Sequence, residues 1–243
     1  MRSRFRQVHR IQCHCIGYKK AEVIRLTQSG IHAPEDEISR LQYEFQVHQC
    51  VILPNLVGTE IIGPVQSFLD RAVFEPREYR DTGQQTFSAE LTAPQSGPAI
   101  IFTVLLNRPA LFRVIERITA CGPIGSFWGR IYRHRPAENH HLDWHNDLNP
   151  QRLVGISINL SASPYSGGCL QMRDAETRRL IRECTAAPQG GATIFRIARN
   201  LEHRNTPIVG SAGKTALAGW FSMSPDYRDL LKTAFPQAEG QSR

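Results

Sequence analysis

"HLDWHND", residues 141–147, puts two histidines and two aspartates into seven positions. The pattern His-x-Asp occurs there twice in tandem, as His141-Leu142-Asp143 and His145-Asn146-Asp147. Alternate side chains of an extended strand face the same way, so His141, Asp143, His145 and Asp147 are expected on one face. His140, Leu142, Trp144 and Asn146 would occupy the other. Either pair then directs an imidazole and a carboxylate at one ion. A single pair fills only two coordination positions, so a third ligand has to come from elsewhere. After the cluster the chain has one further histidine, His203 in "LEHRNTPIV".

The cluster lies in a β-rich half. After Cys121 short apolar or alternating runs follow one another: "SFWGRIYRH", "LVGISINL", "CLQMRD", "TIFRI", "TPIVG" and "TALAGWFSM". Turn-forming stretches ("PAENHH", "DLNPQ", "SPYSGG", "APQGG", "VGSAG") separate them. Regularly spaced strands with Gly, Pro and Asn turns predict a sandwich or barrel of the jelly-roll type.

The first half reads differently. Pro34-Glu35-Asp36-Glu37 suits a helix entrance, with acids near the positive end of the macrodipole, and a helix is expected over 34–48. "CVILPNLV" reads as a short buried strand stopped by Pro54. Residues 58–73 read as a second helix, with Pro64 near its first turn, and "PALFRVIERITA" (109–120) as another with Pro109 at its first position. Residues 75–98 are polar and contain Pro76, Gly83, Pro94, Gly97 and Pro98, which suggests a long lid or binding loop. The fold class expected is α+β, a jelly-roll core over 121–228 with N-terminal helices packed on it. Residues 31–120 form the support region, and 229–243 a C-terminal tail.

The net charge of +7 on 243 residues raises the question of nucleic acid. Arg2, Arg4, Arg6, Arg10, Lys19, Lys20 and Arg25 stand against Glu22 alone in residues 1–30, so this extension carries +6 and the remaining body +1. A near-neutral body argues against a nucleic-acid-binding face on the core. The Arg-rich start is read as a flexible extension, with a transit peptide as the alternative. No apolar run approaches the roughly 20 residues that span a bilayer, and a cytoplasmic location is expected. The six cysteines lack framework spacing and read as reduced, mostly buried thiols; Cys13-His14-Cys15 fits no common zinc loop.

Two histidines and one carboxylate on one face of a metal, with other positions open, form the ligand set of non-haem Fe(II) oxygenases. The stretch from Phe127 to Met223 resembles the Fe(II)/2-oxoglutarate-dependent dioxygenase superfamily, in particular its prolyl-hydroxylase-like branch. The resemblance rests on an ordered series: Tyr132, His145/Asp147, Asn159-Leu160, Gly167-Gly168 with Leu170, His203 with Pro207, Lys214 and Trp220. It implies a double-stranded β-helix in which His145, Asp147 and His203 hold Fe(II). The pair 145/147 is favoured over 141/143 because it directly precedes the turn-like "LNPQ". His141 and Asp143 would then be partners that orient the ligands, or solvent-exposed residues beside the loop.

Alternation in "KTALAGWFS" puts Lys214, Ala216, Ala218 and Trp220 on one face, leaving space beside a charge. By resemblance, Lys214 pairs with the distal carboxylate of 2-oxoglutarate, Tyr132 adds a hydrogen bond, and Leu170 and Trp220 wall the pocket. Arg130, on the Tyr132 face, contacts either substrate or a neighbouring acid, and the structural role is preferred. The activity implied is hydroxylation of an unactivated carbon, using O2 and converting 2-oxoglutarate to succinate and carbon dioxide. The substrate would be a peptide or protein side chain, or a small amino-acid-like or natural-product molecule. Two other readings compete. One is a cupin-type metal enzyme that does not use 2-oxoglutarate, for which a buried Lys214 would have no purpose. The other is a non-enzymatic binding module acting through the basic tail.

Overall fold

A computed structural model describes residues 23–81, 84–91, 97–136 and 140–223. Residues 1–22 of the basic extension and the tail beyond Met223 lie outside them. The described chain begins with two short antiparallel strands, β1 (Arg25–Leu26) and β2 (Ile31–His32). Helix α1 (Glu35–His48) follows, with Glu35, Asp36 and Glu37 in its first turn. Ile38, Leu41 and Phe45 of α1 are buried at helical spacing, and Gln49 ends it in the left-handed conformation. Then come β3 (Cys50–Leu53) and α2 (Thr59–Leu69). Pro64 lies in the second turn of α2, one turn later than expected, and its missing N–H leaves the Glu60 carbonyl without a helical donor.

Residues expected to form a polar loop instead include a β-hairpin, β4 (Phe74–Asp81) and β5 (Gln84–Leu91). Pro76 and the polar composition had argued against strand. The topology removes the objection, because β4 is the edge strand of its sheet and proline tolerates an edge, where one row of N–H groups has no partner. Helices α3 (Gly97–Leu106) and α4 (Pro109–Thr119) complete the first half, and Pro109 opens α4 at its first turn. Among the described residues no single helix is long and apolar enough to cross a membrane; α3 and α4 reach that length only as a pair bent by 65°.

The second half is built of strands: β6 (Ser126–His134), β7 (Leu142–His145), β8 (Arg152–Asn159), β9 (Ser166–Gly167), β10 (Leu170–Asp174) and β11 (Leu180–Cys184). It ends with β12 (Ala192–Arg196), β13 (Leu201–Asn205), β14 (Ile208–Val209) and β15 (Lys214–Ser222). Two sheets face each other. The larger has the order β3-β12-β8-β15-β6-β5-β4 and the smaller β11-β10-β13-β7, with every pairing antiparallel. This is the double-stranded β-helix. The larger sheet is not confined to residues after 121, since β3 extends one of its sides and the β4–β5 hairpin the other.

Alternation divides the larger sheet cleanly. Phe127, Ile131, Val154, Ile158, Ile194, Leu217 and Phe221 point outward into a core shared with the helices, where Phe221 meets Phe112 and Phe127 at ring separations of 6.0 and 5.2 Å. Tyr132, Asn159, Ser157, Thr193, Lys214, Ala218 and Trp220 point inward, between the sheets. The helices thus bury one face of the sheet and leave the other for a cavity.

Candidate active site

The inner cavity has a volume of about 420 Å³ and is lined by His145, Asp147, His203, Tyr132, Lys214 and Trp220, among others. Leu142 and His145 of β7 and His203 and Asn205 of β13 form part of its lining. His203 stands directly opposite His145 in that pairing, and the two rings are 4.2 Å apart. One donor atom from each of His145, Asp147 and His203 lies within 4.8 Å of the others, the one such cluster of three among the described residues.

The neighbouring histidine–aspartate pair is turned elsewhere. Between His203/His145 and Asn205/Leu142 the ladder advances three residues on β7 but two on β13, a β-bulge. Such an extra residue re-aims the side chains beyond it. Leu142 therefore joins His145 in lining the cavity, and the expected single face for residues 141, 143, 145 and 147 does not form. Asp143 contributes through its main chain: its carbonyl is 2.7 Å from Nδ1 of His145. With Nδ1–H donating there, Nε2 is the nitrogen left for the cavity side. The Asp143 carboxylate accepts from the backbone N–H of Trp144 at 2.7 Å.

Asp147 lies past the end of β7, and Asn146 fixes that turn. The Asn146 amide donates to the carbonyls of Ala198 (2.8 Å) and Leu201 (2.6 Å), while its oxygen accepts from the Leu148 N–H at 2.7 Å. Oδ2 of Asp147 accepts from the Trp220 indole at 2.8 Å and sits 3.3 Å from His203 Nε2. Burial acts to raise the Asp147 pKa. The hydrogen bond and charge of His203, then His145 and the indole, outweigh it and hold the carboxyl well below its usual range. A permanent carboxylate beside two imidazoles is a cation site, and the donors are those that suit Fe(II). Phe195 packs its ring 4.4 Å from that of His203.

Further in lies Lys214, 5 % exposed. Its Nζ donates to the Gly168 carbonyl at 3.2 Å and to Oδ1 of Asn205 at 3.3 Å, and no carboxylate among the described residues pairs with it. Burial acts to lower its pKa, but the phenol groups of Tyr132 and Tyr165 beside it prevail and keep the ammonium charged. A buried cation without an anion is costly. One end of a small dicarboxylate would relieve that cost, and the residues present therefore fit 2-oxoglutarate as they fit iron. His134, opposite Lys214 on β6, is driven neutral: burial first, and then the charge of Lys214, push its pKa down to about 3.

Leu170 and Trp220 both line the cavity, and Trp220 in addition holds Asp147. Arg130 lines it too, a position open to either of its two expected roles. Tyr165 and Asn205 went unrecognised in the sequence. Tyr165 sits in the "SPYSGG" turn, and Asn205 reads as an ordinary strand end; its place two residues after His203 on β13, hence on the same face, was the usable signal. At the mouth, the Arg152 guanidinium stacks 3.6 Å above the Trp220 ring, and Trp220 stacks in parallel on Trp128.

Residues 129–222 match the model of the 2OG-Fe(II) oxygenase superfamily. This stretch of the chain is an Fe(II)- and 2-oxoglutarate-dependent oxygenase domain. Solved structures of low sequence identity share the fold. An oxidoreductase of the 2OG-Fe(II) oxygenase family from Burkholderia pseudomallei is 15 % identical with a TM-score of 0.61, over 80 % of this chain and 94 % of its own. A prolyl-4-hydroxylase from Pseudomonas putida is 15 % identical with a TM-score of 0.55, over 77 % and 99 %. A prolyl hydroxylase from Trichoplax adhaerens, in complex with a peptide fragment of a hypoxia inducible factor oxygen degradation domain, is 15 % identical with a TM-score of 0.57, over 77 % and 90 %. No curated protein matches the chain.

Proposed function

We propose that the protein hydroxylates an unactivated carbon of a peptide side chain or of a small amino-acid-like or natural-product molecule. In this reading His145, Asp147 and His203 hold Fe(II), and Lys214, Tyr132 and Tyr165 receive the distal carboxylate of 2-oxoglutarate. The observation that carries it is the placement of a two-histidine, one-carboxylate cluster and a buried, anion-free lysine in one cavity. The same lysine disfavours a cupin-type enzyme without 2-oxoglutarate, which would have no anion to offset its burial. The structural similarity to a prolyl hydroxylase in complex with a peptide supports a peptide substrate.

When bound, iron and 2-oxoglutarate supply the oxidation, with O2 consumed and succinate and carbon dioxide released. The chain's residues do the positioning. Asp143 and Trp220 orient the ligands His145 and Asp147 by the hydrogen bonds given above, and Lys214 fixes the cosubstrate at its far end. Leu170 and Phe195, both buried, give the cavity an apolar lining that excludes water. Substrate would approach between Trp128, Trp220 and Arg152. A cytoplasmic location belongs to this reading. It rests on the six cysteines of the sequence, whose spacing fits no disulfide framework.

An anaerobic titration of the protein with Fe(II) and 2-oxoglutarate tests the assignment. A visible charge-transfer band is expected, absent in Asp147→Ala, with conversion of 2-oxoglutarate to succinate once air is admitted. Neither a band nor succinate from the wild-type chain would overturn it.

A further inference from the structure

The two sheets of the β-helix are open along one side, where β3 ends the larger sheet and β11 ends the smaller. Two cysteines face each other across that opening. Sγ of Cys50, the first residue of β3, lies 3.0 Å from Sγ of Cys184, the last residue of β11. Both are buried, at 1 % and 3 % exposure, among Leu170, Met172, Phe195 and Leu201. A disulfide is about 2.04 Å long, so the sulfurs are about 1 Å from bonding distance and need no movement of either strand as a whole.

We infer that Cys50 and Cys184 form a modification site, closing to a reversible disulfide that staples β3 to β11 when the protein meets a peroxide. The surroundings make Cys184 the attacking sulfur. A hydrogen bond from Cys50 and the nearby guanidinium of Arg182 hold the Cys184 thiol below its ordinary pKa, while that bond and burial push Cys50 up. Nε–H of Arg182 is buried and donates to no acceptor in the protein, leaving it available to a thiolate. Lowered pKa beside a cation is the environment of oxidation-prone cysteines.

The chemistry balances with hydrogen peroxide as the two-electron oxidant. The Cys184 thiolate attacks one peroxide oxygen; an S–O bond forms, the O–O bond breaks, and the departing hydroxide takes a proton to become water. The Cys50 sulfur then attacks the Cys184 sulfur. The S–S bond forms, the S–O bond breaks, and hydroxide leaves with the Cys50 proton as a second water. Thr185, Ala186 and Ala187 follow Cys184 directly and line the active-site cavity, so the staple fixes the start of one cavity wall. Disulfides of this kind in a reducing compartment are transient and redox-responsive.

The test uses the full chain. It is treated with a small excess of hydrogen peroxide, its remaining thiols are alkylated, and it is digested without reductant and mapped by mass spectrometry. A peptide joining Cys50 to Cys184, lighter by two hydrogens than its parts and released by dithiothreitol, is the expected product. The oxidised protein should also melt several degrees higher, and lose that gain on reduction. Cys121→Ser should keep the cross-link and Cys184→Ser abolish it; if the latter fails to fold, the wild-type map decides alone. Oxidation of either cysteine to a sulfinic acid without the cross-link, or two intact alkylated thiols after treatment, would overturn the inference.

Discussion

The indole Nε1–H of Trp220 donates at 2.8 Å to Oδ2 of Asp147, the same oxygen that lies 3.3 Å from Nε2 of His203. The aspartate is therefore held from the wall of the larger sheet, while its backbone follows the end of β7 in the smaller one. Arg152 reinforces the arrangement, with one nitrogen 3.2 Å from the Asp147 carbonyl and its plane against the indole. Partners of this kind tune ligands, and losing one typically costs about 10–100-fold in metal affinity. Trp220→Phe keeps the ring and removes the donor. Its Fe(II) affinity, measured by anaerobic titration, is expected to fall within that range while the fold is kept. Unchanged affinity would make the hydrogen bond incidental.

Lys214 provides a separate test, of the cosubstrate. Lys214→Ala removes the buried cation beside Gly168 and Asn205, and the KM for 2-oxoglutarate is expected to rise by about 10–100-fold, since a charged hydrogen-bonded partner is worth about 1.5–3 kcal/mol. Iron affinity without 2-oxoglutarate should hardly change. The raised pKa of Lys214 adds a pH dependence with a definite sign: the group stays cationic up to and beyond the ordinary lysine value. Between about pH 6 and about pH 9 the wild-type KM should therefore be flat with respect to this residue. A KM that climbs steadily across that window would mean that the lysine is losing its proton there.

These two residues show how much of the site could be read from sequence. That His145, Asp147, His203, Lys214 and Trp220 converge on one cavity was legible because strand alternation and an ordered family series fix both face and order along the chain. The orientation of His141 and Asp143 was not, because a bulge of one residue in β7 reverses the alternation and leaves no mark in composition. Tyr165 was hidden for a related reason: a turn residue has no periodicity from which its direction can be inferred. The β4–β5 hairpin escaped because β4, as the edge strand, needs neither an apolar face nor a partner for every N–H, so Pro76 and a polar run looked like loop. The helices over 35–48 and 109–119 were legible from their entrances, where acids or proline precede buried residues at helical spacing.

Gly167 and Gly168 separate stability from binding. Both have positive φ, 78° and 63°, where a side chain is strained. A Cβ on Gly167 would collide with the backbone carbonyl of Pro207, which the β9–β14 pairing holds in place. A Cβ on Gly168 would meet side-chain atoms instead, Cδ1 of Ile208 at 2.6 Å and Cδ of Lys214 at 3.2 Å. Gly167→Ala is expected to destabilise the protein by about 1–3 kcal/mol or more in chemical denaturation. Gly168→Ala should cost less stability, because side chains can yield, yet raise the KM for 2-oxoglutarate by displacing Lys214. Equal stability losses with no change in KM would show that the second glycine serves the turn alone.

His134 makes acid stability a readout of the buried cavity. Its folded pKa of about 3 lies below the ordinary histidine value, owing to burial first and then to the charge of Lys214 across the strand pair. Between that value and about 6.5 the unfolded chain binds a proton at this position and the native chain does not, so stability rises with pH across the window and falls as pH is lowered. The slope due to His134 is up to about 1.4 kcal/mol per pH unit. His134→Asn, which cannot take the proton, should flatten the wild-type dependence of unfolding free energy on pH by that amount between about pH 6 and about pH 4.5. Because the other histidines titrate in both proteins, the difference between the two curves isolates His134. Parallel curves would mean that the imidazole accepts a proton in the native state, which requires either a more hydrated cavity or a Lys214 without its charge.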